Sequence, residues 1–136
     1  MNTVDVFVPG RPAPQGSKRH VGNGVMVESS KHVKPWRQDV REAVLNAMDG
    51  QSGWARGVPL WARIEFLMPR PSTARRGDAW HVKRPDLDKL VRAVLDAVGS
   101  AGLWADDSQV ASLSVSKMLV RNHDASGCHV IVGELR

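Results

Sequence analysis

The residues most able to do chemistry in this sequence are two pairs of aspartates that flank one helix-like segment. Asp86 and Asp88 begin the segment, and Asp106 and Asp107 follow it after a short connection. Clustered carboxylates repel one another unless a cation compensates them, and their hard oxygen atoms suit Mg²⁺ or Mn²⁺. The one cysteine and the five histidines have no zinc-site spacing. The sequence therefore favours a divalent-metal site built from aspartates.

The first pair also has a purely structural explanation. Two positions apart on a helix means a rotation of about 200°, so both carboxylates can face one ion only if Asp86 stands outside helical geometry. Pro85 biases Arg84 towards an extended conformation, which places Asp86 at the N-cap. Asp86 could then simply cap the helix, with Asp88 favoured by the helix dipole. The second aspartate pair shifts the balance towards a metal site.

The same helix carries Arg92 and Asp96, four and eight residues after Asp88. The three side chains therefore lie on one helix face. They could form a ladder of ion pairs, worth a few tenths of a kcal/mol per exposed pair. Alternatively, Arg92 could be a fixed cation that clamps a phosphate near the metal. The spacing alone leaves both roles open.

Hydrophobic periodicity predicts the elements that position these residues. Strand-like patterns cover 3–8, 59–68, 109–120 and 128–135. Helical patterns cover 35–48 and 86–98, with Gly99 as a left-handed stop. We therefore expect an α/β (mixed α+β) fold, a single small domain over residues 1–136 with one mixed sheet backed by helices.

The charge favours a polyanionic partner. The chain has 136 residues, a net charge of +5 and a pI near 10.0. Nucleic acid and an acidic membrane surface both fit this excess, and so does a basic protein without a special partner. Two irregular segments, 11–20 and 70–84, are basic, the first with room for a short hairpin. The candidate phosphate contacts are Lys18, Arg19, Arg75, Arg76 and Lys83.

Other features indicate the cellular compartment. No apolar run approaches the roughly 18–20 residues that span a bilayer, and the N-terminus lacks the layout of a secretory signal. A single cysteine, Cys128, cannot form an internal disulfide, and we expect it to be a small core residue. We therefore expect a cytoplasmic protein without membrane association.

The run RPDLDKLVRAVLDAVGSAGLWADDSQVASLSVSK resembles the signature of the RusA family of Holliday-junction resolvases. That family has an Asp-x-Asp pair at a helix start and an Asp-Asp-x-Gln segment after the helix. Asp86, Asp88 and the run 106–109 match these motifs, with Asp107 as the third ligand. Further N-terminal matches are Gly10, Pro12, Pro14, Lys18, Arg19 and Trp36.

This resemblance implies a homodimeric, Mg²⁺-dependent enzyme that nicks four-way DNA junctions, with Mn²⁺ able to substitute and no small-molecule cofactor. The family's habit suggests a bacterial cytoplasm and a phage or prophage origin. Two residues depart from the family pattern, Lys89 in place of an asparagine and Arg92 in place of a frequent lysine. Arginine keeps the positive charge but does not readily give up a proton, because its pKa exceeds about 12.

The roles of Lys117 and the tryptophans remain alternatives. A straight strand from Asp107 to Lys117 spans roughly 33 Å, so we expect Lys117 to lie too far from the metal site of its own chain. It is then a DNA-phosphate contact, a residue that serves the site through dimerisation, or a solvated lysine. Trp80 either stacks on a base or wedges a junction, or it belongs to the core or an interface. Trp36, Trp54 and Trp61 are candidates for a dimer interface.

The sequence thus predicts phosphodiester hydrolysis, with Asp86, Asp88 and Asp107 holding one or two Mg²⁺ and Arg92 offsetting phosphate charge. Two alternatives remain. One is a metal nuclease acting on flaps, forks or other branched DNA. The other is a catalytically silent protein that binds DNA structures.

Overall fold

A four-stranded sheet organises the fold. The computed structural model describes residues 2–16, 18–20, 26–28, 31–121 and 124–136. The strands are β1 (Thr3–Pro9), β4 (Leu60–Met68), β5 (Val110–Leu119) and β6 (Gly127–Glu134), in the spatial order β1-β6-β4-β5. Strand β6 is antiparallel to both β1 and β4, whereas β4 and β5 are parallel. The prediction of one mixed sheet is confirmed.

Two helices, α1 (Val33–Met48) and α2 (Leu87–Ser100), form the core with one face of this sheet. Strand β4 shows why, because its alternate residues are at most 3% exposed: Leu60, Ala62, Ile64, Phe66 and Met68. Leu90, Val94 and Val98 form the apolar stripe of α2 and are fully buried. A short hairpin of β2 (Lys18–His20) and β3 (Met26–Glu28) precedes α1.

Three boundaries differ from the sequence prediction. Helix α1 begins at Val33, two residues before Pro35, and Val33 is buried. Gly99 lies inside α2 and does not stop it; the left-handed residue is Gly102, with φ of 87°. Gln109 belongs to a short 3-10 turn, Asp107–Gln109, because its side chain bonds back to the backbone before β5 starts.

The tryptophans also require a correction. Trp36 and Trp54 are 2% and 8% exposed, so both belong to the core and are not available to an interface. Trp61 is half-buried and packs against Gly133, where a Cβ atom would lie 2.6 Å from the indole ring. Cys128 is fully buried in β6, as predicted. Within the described residues, no helix is both long and apolar enough to cross a membrane.

Candidate functional site

Two carboxylates are left exposed at the start of α2. Asp86 is the N-cap residue, with an extended backbone at φ −68° and ψ 142°, yet its side chain makes no capping hydrogen bond. Asp88 lies in the first helical turn, and both residues are exposed. The nearest cation is Lys89, whose Nζ lies 4.0 Å from Asp86 Oδ2. Helix capping therefore does not use the Asp86 carboxylate, which is available for a ligand.

Lys117 lies beside this helix start. Its Nζ donates hydrogen bonds to the backbone oxygens of Lys83, at 2.8 Å, and Pro85, at 2.7 Å. The expectation that Lys117 is remote from the metal site considered only its distance from Asp107. In the structure, β5 runs back towards the start of α2 and brings Lys117 near the other aspartate pair, Asp86 and Asp88. Lys117 is not a freely solvated lysine either. Its ammonium group fixes the backbone that leads into Asp86.

Asp107 lies at the opposite end of α2. Its Oδ1 accepts a hydrogen bond of 2.8 Å from the indole Nε1 of Trp104. Gly99 makes room for this carboxylate, since a Cβ atom there would lie 2.9 Å from Oδ1. Burial raises the pKa of Asp107, the Trp104 hydrogen bond opposes the rise, and the nearby carboxyl group of Asp96 adds to it.

The neighbouring Asp106 has a different role. Its carboxylate accepts a hydrogen bond of 2.8 Å from the backbone N–H of Ser108, and this hydrogen bond lowers the pKa of Asp106. Gln109 is buried and completes a capping box: its Oε1 accepts two backbone N–H groups, while its Nε2 donates to the carbonyls of Ala55 and Val58. The Asp-Asp-x-Gln segment is thus a clamped turn in which Asp106 caps the backbone, while the Asp107 carboxylate faces Trp104 and the end of α2.

Helix α2 therefore separates the three predicted ligands. Eleven residues from Asp88 to Gly99 correspond to about 16 Å along the helix axis. Oxygen ligands of one Mg²⁺ lie about 2.1 Å from the ion, so they must converge within a few ångströms. Within the described residues, no three His, Cys, Asp or Glu side chains are close enough to hold a metal ion. Within one chain, Asp86 and Asp88 lie at the first end of α2, whereas Asp107 lies at the other end.

Arg92 lies on the exposed face of α2 between the two ends. Its guanidinium makes no ion pair within 4.0 Å of Asp88 or Asp96, two residues that the structure also describes. The proposed ladder of ion pairs is therefore absent, and the Arg92 charge remains available to a ligand.

The two basic segments meet next to Asp86. They line a groove of about 750 Å³ together with the first turn of α2. Its cationic or titratable lining residues are Arg11, His32, Arg70, His81, Arg84 and Lys89, with Asp86 at the edge. Burial and the neighbouring Lys117 lower the pKa of His81, which favours its neutral form. A groove of this charge suits a phosphate backbone.

Segment 69–85 has a fixed backbone. Arg70 donates hydrogen bonds to the carbonyls of Val120, Arg75 and Asp78 at 2.8–3.0 Å, and its role is therefore structural as well as electrostatic. Trp80 forms a β-bridge with Met118, yet it is 63% exposed, which rules out a place in the core. The segment thus holds a large aromatic side chain in solvent.

The predicted phosphate contacts fall into two groups. Arg75, Arg76 and Lys83 are exposed on segment 69–85. Lys18 and Arg19 belong to β2, and their side chains lie outside the described part of the chain.

Comparison with known proteins shows the family to which the chain belongs. The family model described as Endodeoxyribonuclease RusA matches residues 9–130. The chain belongs to the RusA family. It is 32% identical over 120 residues to the crossover junction endodeoxyribonuclease RusA of Escherichia coli strain K12, covering 88% of this chain and 87% of that protein. It is 31% identical to the protein of the same name from Enterobacteria phage 82, with the same coverage.

Sequence reasoning missed three residues of this RusA-family site. The sequence indicated Asp96 only as one member of a possible ion-pair ladder with Arg92, whereas the structure places it in one small pocket with Asp107. Gln15 was not identified, although its side chain reaches Asp96 across 81 positions of the chain. The structural role of Gln109 was also missed. A glutamine has no periodic or charge signature, so only the family motif could have singled out Gln109.

Proposed function

We propose that this protein is a Mg²⁺-dependent endonuclease that resolves four-way DNA junctions by paired, symmetric nicks. Its family is one of endodeoxyribonucleases, and relatives over most of its length are named crossover junction enzymes. The observation that carries the proposal is the Asp86 carboxylate. It makes no capping hydrogen bond, it is close in sequence to Asp88 at the start of α2, and it lines a basic groove. Hard oxygen donors next to cationic side chains support a metal-assisted cut of a DNA phosphate.

The working unit is a homodimer in which each metal site takes ligands from both subunits. The separation of Asp88 from Asp107 along α2 supports this arrangement. A two-fold axis near the middle of α2 would set two copies of the helix antiparallel. Asp86 and Asp88 of one subunit would then meet Asp107 of the partner subunit at each end of the helix pair.

The three carboxylates fit a divalent cation by their chemistry, since hard oxygen donors are the ligands of Mg²⁺ and Mn²⁺. When bound, such a cation activates water for attack on the phosphodiester and stabilises the leaving oxygen. Arg92 stabilises the negative charge of the phosphate without transferring a proton. Lys89 stays close to Asp86 and competes with the cation for its carboxylate.

The remaining cations and Trp80 bind the DNA. Arg11 and Arg84 in the groove, with Arg75, Arg76 and Lys83 nearby, contact phosphates without reading sequence. Trp80 is exposed on a fixed backbone, and a flat aromatic side chain of this kind stacks on an unpaired base at a branch point. Lys117 contributes indirectly, by holding the backbone at Pro85.

The test is digestion of a synthetic four-way junction, with and without Mg²⁺, beside a linear duplex and a flap of matched sequence. We expect Mg²⁺-dependent paired nicks in the junction alone. Faster cleavage of the flap would favour the branched-DNA nuclease instead. Junction binding without cleavage at any Mg²⁺ or Mn²⁺ concentration would favour the silent DNA-binding protein.

Single substitutions separate the ligands from the DNA contacts. Asp86→Asn, Asp88→Asn and Asp107→Asn should each abolish cleavage and leave junction binding intact, because removing negative charge does not weaken binding to a polyanion. Any one of the three that cleaves normally is not a ligand. Arg76→Ala should instead weaken binding and reduce its salt dependence.

A further inference from the structure

Gln15 fastens the N-terminal loop to α2 at two points. Its backbone N–H donates to the carbonyl of Lys89 at 3.0 Å, and its side-chain Nε2 donates to Asp96 Oδ2 at 2.5 Å. Arg37 Nη1 donates to the side-chain oxygen of Gln15 at 2.9 Å. Because a guanidinium can only donate, this contact fixes which end of the amide faces Arg37. The Gln15 nitrogen is therefore directed at Asp96.

Asp96 in turn faces Asp107. The two carboxyl groups line the same small pocket at the end of α2, where the indole of Trp104 holds Asp107 Oδ1. Two carboxylates that share a pocket repel each other unless a proton or a cation lies between them. Without an anchor, Asp96 would turn away into solvent. The Gln15 amide prevents this, because it holds one oxygen of Asp96 in place.

We infer that Gln15 and Asp96 are positioning residues for Asp107, and this inference rests on the proposed role of Asp107 as a metal ligand. A chain of contacts runs from Arg37 on α1 through Gln15 and Asp96 to Asp107. It ties the carboxylate to the N-terminal loop, whose Arg11 lines the basic groove. The loop that contacts DNA thereby also sets the geometry of a ligand.

Substitution of Gln15 tests this inference. Partners that orient a ligand typically change metal affinity or activity by about 10- to 100-fold when they are removed. We expect Gln15→Ala to weaken Mn²⁺ binding to the DNA-free dimer by about 10-fold or more, measured by calorimetry, and to raise the Mg²⁺ concentration needed for cleavage. Junction affinity without metal and the unfolding midpoint should stay close to wild type.

Gln38→Ala is the matched control. Gln38 is an exposed glutamine on α1 whose side chain, among the described residues, hydrogen-bonds to Glu42 at 3.4 Å and not to Asp96. This variant should bind Mn²⁺ like the wild-type protein. Equal metal affinity in the Gln15→Ala variant and the wild-type protein would overturn the inference.

Two substitutions at Asp96 separate positioning from direct metal binding. Asparagine keeps the shape, since its oxygen can accept from Gln15 while its amide nitrogen donates to Asp107. We expect Asp96→Asn to retain most of the Mn²⁺ affinity and Asp96→Ala to lose about 10-fold or more. Equal losses in both variants would mean that the metal requires the charge of Asp96 itself, which would overturn a positioning role.

Asp107→Asn distinguishes failure of this inference from failure of the proposed site. If this variant binds Mn²⁺ as the wild-type protein does, Asp107 is not a ligand and both proposals fall. If Asp107→Asn abolishes binding while Gln15→Ala does not change it, only the positioning role is refuted.

Discussion

A mixture of two inactive variants should recover activity if each site is shared between subunits. We consider Asp88→Asn and Asp107→Asn, each of which should be inactive alone. In a dimer of one of each, one site contains both substitutions. The other site contains Asp88 from one subunit and Asp107 from the partner subunit, both native. That dimer therefore has one intact site.

The size of the recovery follows from the geometry of α2. The axial distance of about 16 Å between Asp88 and Gly99 is several times the spread of the ligands around one Mg²⁺. If Asp88 and Asp107 bind one ion, an intact site can therefore form only across the subunits. Random pairing of equal amounts gives about half mixed dimers. Since each mixed dimer has one intact site of two, about a quarter of the wild-type sites should return.

The assay uses a supercoiled plasmid with an extruded cruciform, incubated with subunits that were mixed under exchanging conditions. One active site per dimer makes one cut, so we expect nicked circles with little linear product, whereas the wild-type protein should give linear plasmid. Asp86→Asn mixed with Asp88→Asn is the matched control. These residues belong to the same half-site, so every mixed dimer remains inactive.

Two results would refute this reasoning. One is no recovery from the Asp88→Asn and Asp107→Asn mixture, provided that mass measurements show mixed dimers on the junction. The other is recovery by the Asp86→Asn and Asp88→Asn control. Either outcome would mean that a complete site does not form where the ends of two α2 helices meet.

Four further predictions concern single residues. Gln109→Ala should lower the free energy of unfolding by about 2–4 kcal/mol in urea titrations, because it removes the four hydrogen bonds that this buried side chain makes to the backbone of Ala55, Val58, Ala105 and Asp106; an unchanged midpoint would contradict this. Arg92→Ala should reduce the single-turnover cleavage rate by roughly 10²–10³-fold and Arg92→Lys much less, whereas equal rates would leave Arg92 without a role in the reaction. Lys89→Asn should lower the Mg²⁺ concentration needed for half-maximal cleavage by no more than about 5-fold, since exposed ion pairs contribute at most about 1 kcal/mol; a higher requirement would show that Lys89 assists the site. Burial raises the pKa of Cys128 from 9.0 to about 12, so its thiolate is suppressed about 10³-fold near neutral pH, and a thiol reagent should label it only after denaturation.

Local signals were sufficient for the sheet and both helices. The alternation of apolar residues along β4 and the apolar stripe of α2 each identify a buried face without reference to the rest of the chain. The N-cap position of Asp86 was also predictable, because Pro85 restricts the residue before it. These features depend on neighbours within a few residues.

The distances between sites were not predictable in this way. Asp107 follows α2 after a short connection and lies at the near end of that helix. The course of the chain after α2 decides that outcome, and it depends on long-range contacts such as the hydrogen bond from the Trp54 N–H to the Leu103 carbonyl. The contact between Gln15 and Asp96 links positions 81 residues apart and depends on the packing of the N-terminal loop. The position of Lys117 beside the start of α2 likewise follows from the direction of β5.

The length of α2 has a consequence for the product of the reaction. If antiparallel copies of this helix carry a site at each end, the number of residues between Asp88 and Gly99 sets the distance between the two cuts. The helix then acts as a ruler for the spacing of opposed phosphates. An insertion of four alanines into α2 would lengthen that ruler by about 6 Å and rotate one end by about 40°. We expect such a protein to make single nicks and to lose the symmetric pair.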